Sequence, residues 1–537
     1  MTRLRAIFLT PAALVMLATL AVPLAIVAAY SFLSRGAYGG VEAPWTQENY
    51  VRLFDPLYGG IFLRSAWVSL LATAACLVLG FPLALFIARS GPRKNLYLAL
   101  VILPFWTSFL IRLYAWMFLL RDTGLVNTVL VSLGAIHAPL PLLYNQGAVI
   151  LGLIYGYLPF AVVPLYATLE RQDPALLDAA ADLGSSPWRA LLRVTIPLSA
   201  PGLWAASILV FVPCVGTLSG LRSARRQQDR ADRQSGAESV HRFARLAVRS
   251  GRVDRPDGGG DRDARPDASY QGGTPVTARR VRFTFGRSAL PLYAACAYLF
   301  LHLPLAILAI FSVNASRFTV WEGFSLRWYR AMFADRALLE SAANSLLIAV
   351  AATALATSIG TLAAYALWKK ASAWLAGSLY LSLVTPEIVT GVSLLAFFQW
   401  IFRYLHLRLG MHTVILAHVS FSIAYVVLVV MARLRNFDVA LEEAALDLGE
   451  TEFGAFYRVT LPYLAPAIAA AAMLAFTVSI DDYVITSLVA GVDSRTLPMV
   501  IYAMARRGVN PVLNAVSTIV VAALGALIVI SDRLRKA

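Results

Sequence analysis

Lysine is nearly absent: Lys94, Lys369, Lys370 and Lys536 are the only four among 46 Lys and Arg. None of them follows a glycine. A phosphate-binding P-loop needs a Gly-Lys pair, because the lysine must reach phosphates cradled by the loop amides, so that route to ATP hydrolysis is excluded. Cysteine is almost as scarce. Cys76, Cys214 and Cys296 lie far apart in apolar stretches, which excludes a disulfide framework and a cysteine metal site. Charge is short as well, at 14% of 537 residues against 59% hydrophobic, where soluble proteins carry about 25% charge. Such a chain cannot cover several soluble domains. What remains is an all-α polytopic protein of the lipid bilayer.

Long apolar runs are what the sequence has in quantity. A spanning helix needs about 20 mostly apolar residues. Five runs precede residue 218, roughly 6–32, 61–88, 96–120, 148–169 and 199–217. Six follow residue 286, roughly 289–313, 342–367, 378–402, 412–432, 463–490 and 513–530. The first run is too long for a signal peptide, and no small-residue cleavage site ends it. Basic residues mark the cytoplasmic loops. Arg3 and Arg5 precede the first run, Arg89, Arg93 and Lys94 follow the second, and Arg171, Arg189 and Arg193 follow the fourth. In the second half, Lys369 and Lys370 follow its second run, and Arg433, Arg435 and Arg458 follow its fourth. Each half therefore starts inside.

The pattern occurs twice. Ser65-Ala66-Trp67-Val68-Ser69-Leu70-Leu71 matches Ser341-Ala342-Ala343-Asn344-Ser345-Leu346-Leu347, and the run 49–55 resembles 328–335. The best match is DPALLDAAADLGSSPWRALLRVTIPLSAP, from Asp173, with DVALEEAALDLGETEFGAFYRVTLPYLAP, from Asp438, at a constant offset of 265. Each copy has an acid-Ala-Ala triplet, Asp178-Ala179-Ala180 or Glu443-Ala444-Ala445, then Gly184 or Gly449, then Pro197 or Pro462. Asp173 and Asp438 suit helix N-caps, and Pro174 suits a first helical position. The two glycines suit C′ positions, where φ turns positive. Each loop thus reads as an Ala-rich helix, a glycine turn and a second short helix that returns to the membrane.

At these residues the chain resembles the permease subunits of binding-protein-dependent ABC importers, whose signature is EAA, three residues and Gly. The resemblance implies two homologous MetI-like transmembrane domains of about 5 + 6 helices in the inner membrane. It implies that Asp178, Ala179, Ala180 and Gly184, with Glu443, Ala444, Ala445 and Gly449, form coupling loops that dock on a separate ATPase. The partners it implies are that ABC ATPase, as a homodimer, a periplasmic or extracellular polyamine-binding protein, and the lipid bilayer. ATP would be used by the partner, with no cofactor, metal or catalytic residue on this chain. Ser479-Ile480-Asp481-Asp482-Tyr483, Thr496-Leu497-Pro498, Arg506-Arg507-Gly508-Val509-Asn510-Pro511 and Asn514-Ala515 look like the spermidine/putrescine permease pair, as does Phe211-Val212-Pro213 in the first half. Polyamine import is the implied function, with another small solute as the alternative.

Intramembrane acids give candidates for the cargo path. An ionised Asp at a lipid-facing helix centre costs about 2.5–3.5 kcal/mol. Asp481 and Asp482, and Glu387 after Pro386, must therefore find water, a partner or a cation. Carboxylates spaced along a wet path suit a chain of ammonium groups, and Trp106, Tyr114 and Tyr483 could add cation–π attraction. A structural role is the alternative for each acid. His412 and His418, six residues apart, do not share a helix face and read as ordinary helix residues.

One stretch does not belong. The layout is a first permease domain over 1–217, an anomalous segment over 218–275 and a second permease domain over 276–537. Between 218 and 285 there are fifteen Arg and eight acids, net +7, with no Lys and no apolar periodicity. Read one nucleotide later, codons for Arg255–Tyr270 can spell ALMAVVTVMLVLMLAI, the core of a sixth span. The same shift can place a stop over Val276-Thr277. The expectation is two adjacent permease genes joined by a frameshift near Thr217–Leu218, giving a chain that lacks one span. A disordered basic linker in a true fusion is the alternative. No nucleic-acid partner is expected.

Overall fold

The computed structural model describes residues 2–36, 41–173, 175–216, 289–317, 320–508 and 510–536. Hydrocarbon offers the backbone no water to bond, so apolar runs must satisfy themselves as helices. Eight described helices are long and apolar enough to span: Ile7–Tyr30, Pro56–Ala88, Gln146–Glu170, Ala289–Ser312, Arg336–Lys369, Glu387–Leu405, Met411–Leu434 and Glu452–Asp481. A bent pair, Pro187–Leu198 and Ala200–Gly216, turns through 67° and makes a ninth. The segment 218–275 lies outside the described residues.

Three runs expected as continuous are broken. The run 96–120 divides into Lys94–Ile102, a 3-10 turn Leu103–Trp106 and Phe109–Leu120. The run 378–402 divides at Thr385-Pro386 into Ala373–Val384 and Glu387–Leu405. The run 463–490 stops at Asp481 and restarts as Val484–Val489. Pro386 explains the second, since proline removes a helical donor and pushes its predecessor toward extended backbone; in the first, Leu103 before Pro104 stays helical and the chain extends at Thr107 and Ser108. Thr385, at ψ 128°, does extend. The run 513–530 belongs to Pro511–Lys536, whose Pro511–Ala523 part is a shorter apolar helix.

The duplication is visible in the fold. A short helix, Glu48–Leu53 or Arg327–Ala334, leads into a long one, Pro56–Ala88 or Arg336–Lys369. Asp55 and Asp335 cap the long helices by accepting from the amides of Leu57 and Leu338. Each long helix carries small residues four apart on its buried face: Ala72, Cys76, Gly80 and Ala84 in one, Ala352, Ala356, Gly360 and Ala364 in the other. Lipid tails are as apolar as leucine, so close backbone approach rather than water exclusion drives such pairing. Pro56–Ala88 accordingly packs on Gln146–Glu170, and Arg336–Lys369 on Met411–Leu434.

The halves interlock through their first helices. Phe8, Ala12, Met16 and Leu20 join the core built around Ala352–Ala364 and Val419–Val430 of the second half. Ala294 and Leu301 join the core around Val68–Ile87 of the first. Tyr155 Oη donates to the Leu301 carbonyl at 2.9 Å, and Thr19 Oγ1 to Ser420 Oγ at 2.7 Å.

Both hairpin loops lie at one end of this bundle. Lys94, beside the first loop, pairs with Glu170, and Lys369 pairs with Glu442 in the second. Phe109, fifteen residues beyond Lys94, meets Asp481. Asp481 is the far end of the 30-residue helix rising from the second loop, about 43 Å away at 1.5 Å per residue. Two elements that leave the loops separately thus meet far from them. The basic residues at the loop end make it the cytoplasmic one.

A Cβ on Gly360 would stand 2.7 Å from Val426 Cγ1, tighter than on Gly80, whose nearest neighbour is Ala161 Cβ at 3.4 Å. Val426 is β-branched and has little freedom to yield. Gly360→Ala is expected to cost about 1–3 kcal/mol and Gly80→Ala much less, as a difference in detergent-solubilised melting temperature. Equal melting of the two variants would contradict the packing described.

Candidate functional site

The two hairpins are built alike to the level of single hydrogen bonds. Asp173 Oδ1 accepts from the Ala175 amide at 2.9 Å, and Asp438 Oδ1 from the Ala440 amide at 3.0 Å. The helices Ala175–Asp182 and Ala440–Asp447 follow; Pro174 lies outside the described residues. Gly184 (φ +78°) and Gly449 (φ +90°) occupy the left-handed region, as expected for C′ glycines. Beyond them Ser185 and Glu450 return their amides to the carbonyls of Ala180 and Ala445 at 3.0 and 3.1 Å. This six-to-one bond closes both helices as a Schellman turn. Ser186 and Thr451 then cap the second helices. Both re-enter the membrane through one π-helical turn, Leu191–Thr195 or Phe456–Thr460.

Both hairpins present the same face. Asp178, Ala179, Glu443 and Ala444 are exposed, and Ala180 and Ala445 are half-buried. Leu183 and Leu448 are each 88% exposed, the highest values among the large apolar side chains. An apolar side chain held out at the same place in both copies, next to small alanines, marks a contact surface.

The copies differ at one residue that the sequence did not single out. Glu442 is buried; Tyr365 Oη donates to its Oε1, and Lys369 Nζ lies 2.8 Å from its Oε2. Lys369 also lies over the rings of Trp368 and Tyr365, at 5.0 and 5.7 Å. Leu177 stands at the equivalent place in the first copy. The second hairpin is therefore tied to the cytoplasmic end of Arg336–Lys369 by a charge that the first lacks. The signal was present as a second acid beside Glu443, but its partners are far away in sequence.

The three intramembrane acids meet different fates. Asp481 Oδ2 accepts from the Phe109 amide at 3.0 Å, which caps Phe109–Leu120 from the opposite half. Arg112, one turn into that helix, is buried within Coulombic reach of it. Asp482 Oδ2 accepts from the Thr486 amide at 2.8 Å and hydroxyl at 2.7 Å, and His418 Nε2 lies 3.4 Å away. His418 in turn meets Ser479 Oγ at 2.7 Å. This imidazole, read from sequence as an ordinary helix residue, belongs to a buried polar network. Glu387 differs from both: it begins Glu387–Leu405, keeps an exposed side chain and lies within Coulombic reach of Asp481 and Asp482. Among aromatic candidates, Tyr483 lies against Tyr502 with ring centroids 4.4 Å apart and planes tilted by 31°. Tyr114 Oη lies 3.5 Å from the Asn510 carbonyl. The Trp106 side chain is outside the described residues.

Glu442→Ala is expected to free Lys369 and loosen the second hairpin only. Removing one partner of a buried ion pair costs up to about 3–5 kcal/mol, less here because Lys369 is 26% exposed. Trypsin or hydrogen exchange should show new opening at 440–450 with 175–185 unchanged; equal opening of both hairpins would contradict the tether.

The comparisons agree with this architecture. Residues 356–537 match the family described as "Binding-protein-dependent transport system inner membrane component". The putrescine transport system permease protein PotI of Escherichia coli (strain K12) is 41% identical over 235 residues, 42% of this chain and 84% of that protein. The spermidine/putrescine transport system permease protein PotB of the same organism is 44% identical over 187 residues, 35% of this chain and 68% of its own length. The permease protein PotC of the same spermidine/putrescine system is 37% identical over 246 residues, 45% and 91% of the two chains. Each relative thus covers most of itself and under half of this chain. With eight to nine helices among its described residues long and apolar enough to span, the chain is a multi-pass membrane protein that belongs to the inner-membrane permease family of binding-protein-dependent transport systems.

Proposed function

We propose that this chain forms both membrane halves of an ABC importer that moves polyamines inward. Its energy would come from ATP hydrolysed on a separate ATPase homodimer seated on the two hairpins. The observation that carries the reading is the paired geometry of those hairpins: same end, same caps, same exposed acid-Ala face and same projecting leucine. In this reading Asp178, Ala179, Ala180 and Gly184, with Glu443, Ala444, Ala445 and Gly449, are the coupling residues. A periplasmic polyamine-binding protein delivers cargo at the other end. In this reading the chemistry lies on the partner, with no catalytic residue, cofactor or metal expected on the chain itself.

The cargo class rests on the named cargo of the relatives and on the acids. Asp481 and Asp482 are engaged with backbone and imidazole groups, so their negative charge is fixed in place. Glu387, accessible at the mid-bundle break, is the carboxylate free to meet an ammonium group. Fixed charge beside one adaptable acid favours a cationic chain over an anion or sugar. As ATP binding draws the hairpins together, the bundle closes around the acids from one side and opens on the other.

A second reading has its own support. The helix Ala200–Gly216 leaves the cytoplasmic end and its last residue sits against Pro386 at mid-bundle. Ala289–Ser312 starts again near the cytoplasmic end, where Tyr298 Oη donates to the Tyr97 carbonyl. The sequence between them holds no run of about 20 apolar residues. This favours a frameshifted joint that has lost its sixth span and yields a non-transporting product. DNA across codons 210–280 tests the joint: codons that cannot spell an apolar run one base later would rule out the shift.

Labelled putrescine and spermidine uptake is the test of function, in a transporter-deficient strain that supplies the cognate ATPase and binding protein. The expected result is ATP-dependent uptake by the native chain. Absence of uptake at normal membrane abundance favours the non-transporting product, and uptake of a different solute alone refutes polyamine cargo. Gly449→Asp is expected to abolish uptake, because a side chain at φ +90° strains the turn; retained uptake with retained ATPase association would refute the coupling role. Glu387→Gln is expected to raise the apparent KM about tenfold with assembly unchanged, the loss of one charge-assisted contact.

A further inference from the structure

We propose that His418 is a positioning residue, the contact through which movement of the second hairpin reaches the intramembrane acids. The inference rests on the importer reading and names one transmitting side chain within it. His418 is 1% exposed and sits on Met411–Leu434, the helix from which the second hairpin hangs. It lies sixteen residues from the cytoplasmic end of that helix at Leu434, about 24 Å at 1.5 Å per residue.

Its imidazole spans the helix break at 481–484. Nδ1 meets Ser479 Oγ at 2.7 Å, on Leu461–Asp481 before the break, and Nε2 meets Thr486 Oγ1 at 2.9 Å, on Val484–Val489 after it. Thr486 fixes the direction of these bonds. Its hydroxyl has one hydrogen and donates it to Asp482 Oδ2 at 2.7 Å, so its oxygen accepts from Nε2–H. In the neutral ring Nδ1 is then bare and accepts from the Ser479 hydroxyl. The bonds run one way, from Ser479 through His418 and Thr486 to Asp482. Thr413, on the same helix as His418, reaches the Val489 carbonyl at 2.7 Å. Met411–Leu434 thus grips Val484–Val489 at both ends, and Asp482, which accepts from the Thr486 amide, is held with it.

The first half has the same helices without this grip. Gln146–Glu170 and Met411–Leu434 begin at the offset of 265 that relates the hairpins. At that offset Thr413 and His418 correspond to Ala148 and Leu153, and Ser479 to Cys214. Leu153 and Cys214 are buried in an apolar core. Apolar contact has no direction and tolerates sliding. A buried chain of hydrogen bonds has one register, because each unmet group in it is costly. A displacement of the first hairpin is therefore spread through side-chain packing, whereas a displacement of the second is delivered to Asp482. Glu387 lies within Coulombic reach of Asp482, so the accessible carboxylate feels the same movement.

The test measures labelled spermidine uptake and ATP hydrolysis together, in proteoliposomes holding the full chain, its ATPase and the binding protein. His418→Leu is expected to keep ATPase copurification and ATP hydrolysis while the cargo moved per ATP falls about tenfold, the effect of leaving buried hydroxyls unmet. His418→Gln presents a donor to Thr486 and an acceptor to Ser479, and is expected to stay close to native. Thr486→Val should uncouple with the imidazole intact, and Thr486→Ser should not; this smaller pair decides the matter if His418→Leu fails to assemble. Leu153→Met, at the matching place in the first half, should leave the ratio unchanged. A native ratio of cargo to ATP in assembled His418→Leu or Thr486→Val overturns the proposal. So does His418→Gln as poor as His418→Leu, since bond direction would then not be what the ring supplies. If the native chain moves no cargo with its ATPase present, the importer reading falls first and the role of His418 with it.

Discussion

Close approach of helix backbones is the constraint from which the rest of the structure follows. In lipid there is no water to expel, so two helices gain only what their surfaces can touch. The stripes Ala72-Cys76-Gly80-Ala84 and Ala352-Ala356-Gly360-Ala364 remove side-chain bulk at every turn of one face. That lets Gln146–Glu170 and Met411–Leu434 lie against them. Each hairpin hangs directly from the second helix of such a pair, so the stripes set where the hairpins stand. A change of spacing inside the stripe would be felt as a displacement of Asp178 or Glu443 at the membrane surface.

The polar groups inside the bundle answer to the same economy of contact. Asp481 caps a helix of the other half, and Asp482 engages Thr486 and His418. These bonds hold together the breaks at 106–109 and 481–484, where irregular backbone would otherwise leave donors unsatisfied in hydrocarbon. Glu387 follows the third break, at Pro386. Broken helices and carboxylates coincide at 106–109 and 481–484 because each break frees backbone amides, and Asp481 and Asp482 accept from them.

Much of this was legible in the sequence because it depends on local chemistry. The hairpins followed from a cap, an alanine run and a glycine, all within twelve residues, and the matched offset showed that neither copy was chance. Apolar length located the spans, but it could not show that the runs 96–120, 378–402 and 463–490 would break. Pro386 was the available signal for one of these, and it was outweighed by the length of the apolar run. Glu442, His418 and Arg112 were missed for a different reason. Their partners, Tyr365 and Lys369, Asp482, and Asp481, lie 64 to 369 residues away, and no spacing rule reaches across such a distance.

The exchange of first helices has a consequence for how such a chain is made. Ile7–Tyr30 enters the bilayer early, but its neighbours Ala352–Ala364 and Val419–Val430 are more than 300 residues downstream. At about 5–20 residues per second, that is many seconds of synthesis. During that time the helix must wait in lipid as an orphan, shielded by acyl chains or by the insertion machinery. Its final docking would then be a late clasp, closing only once the last helices of the other half have arrived. Quality control that samples this helix would read out whether the whole chain has been completed.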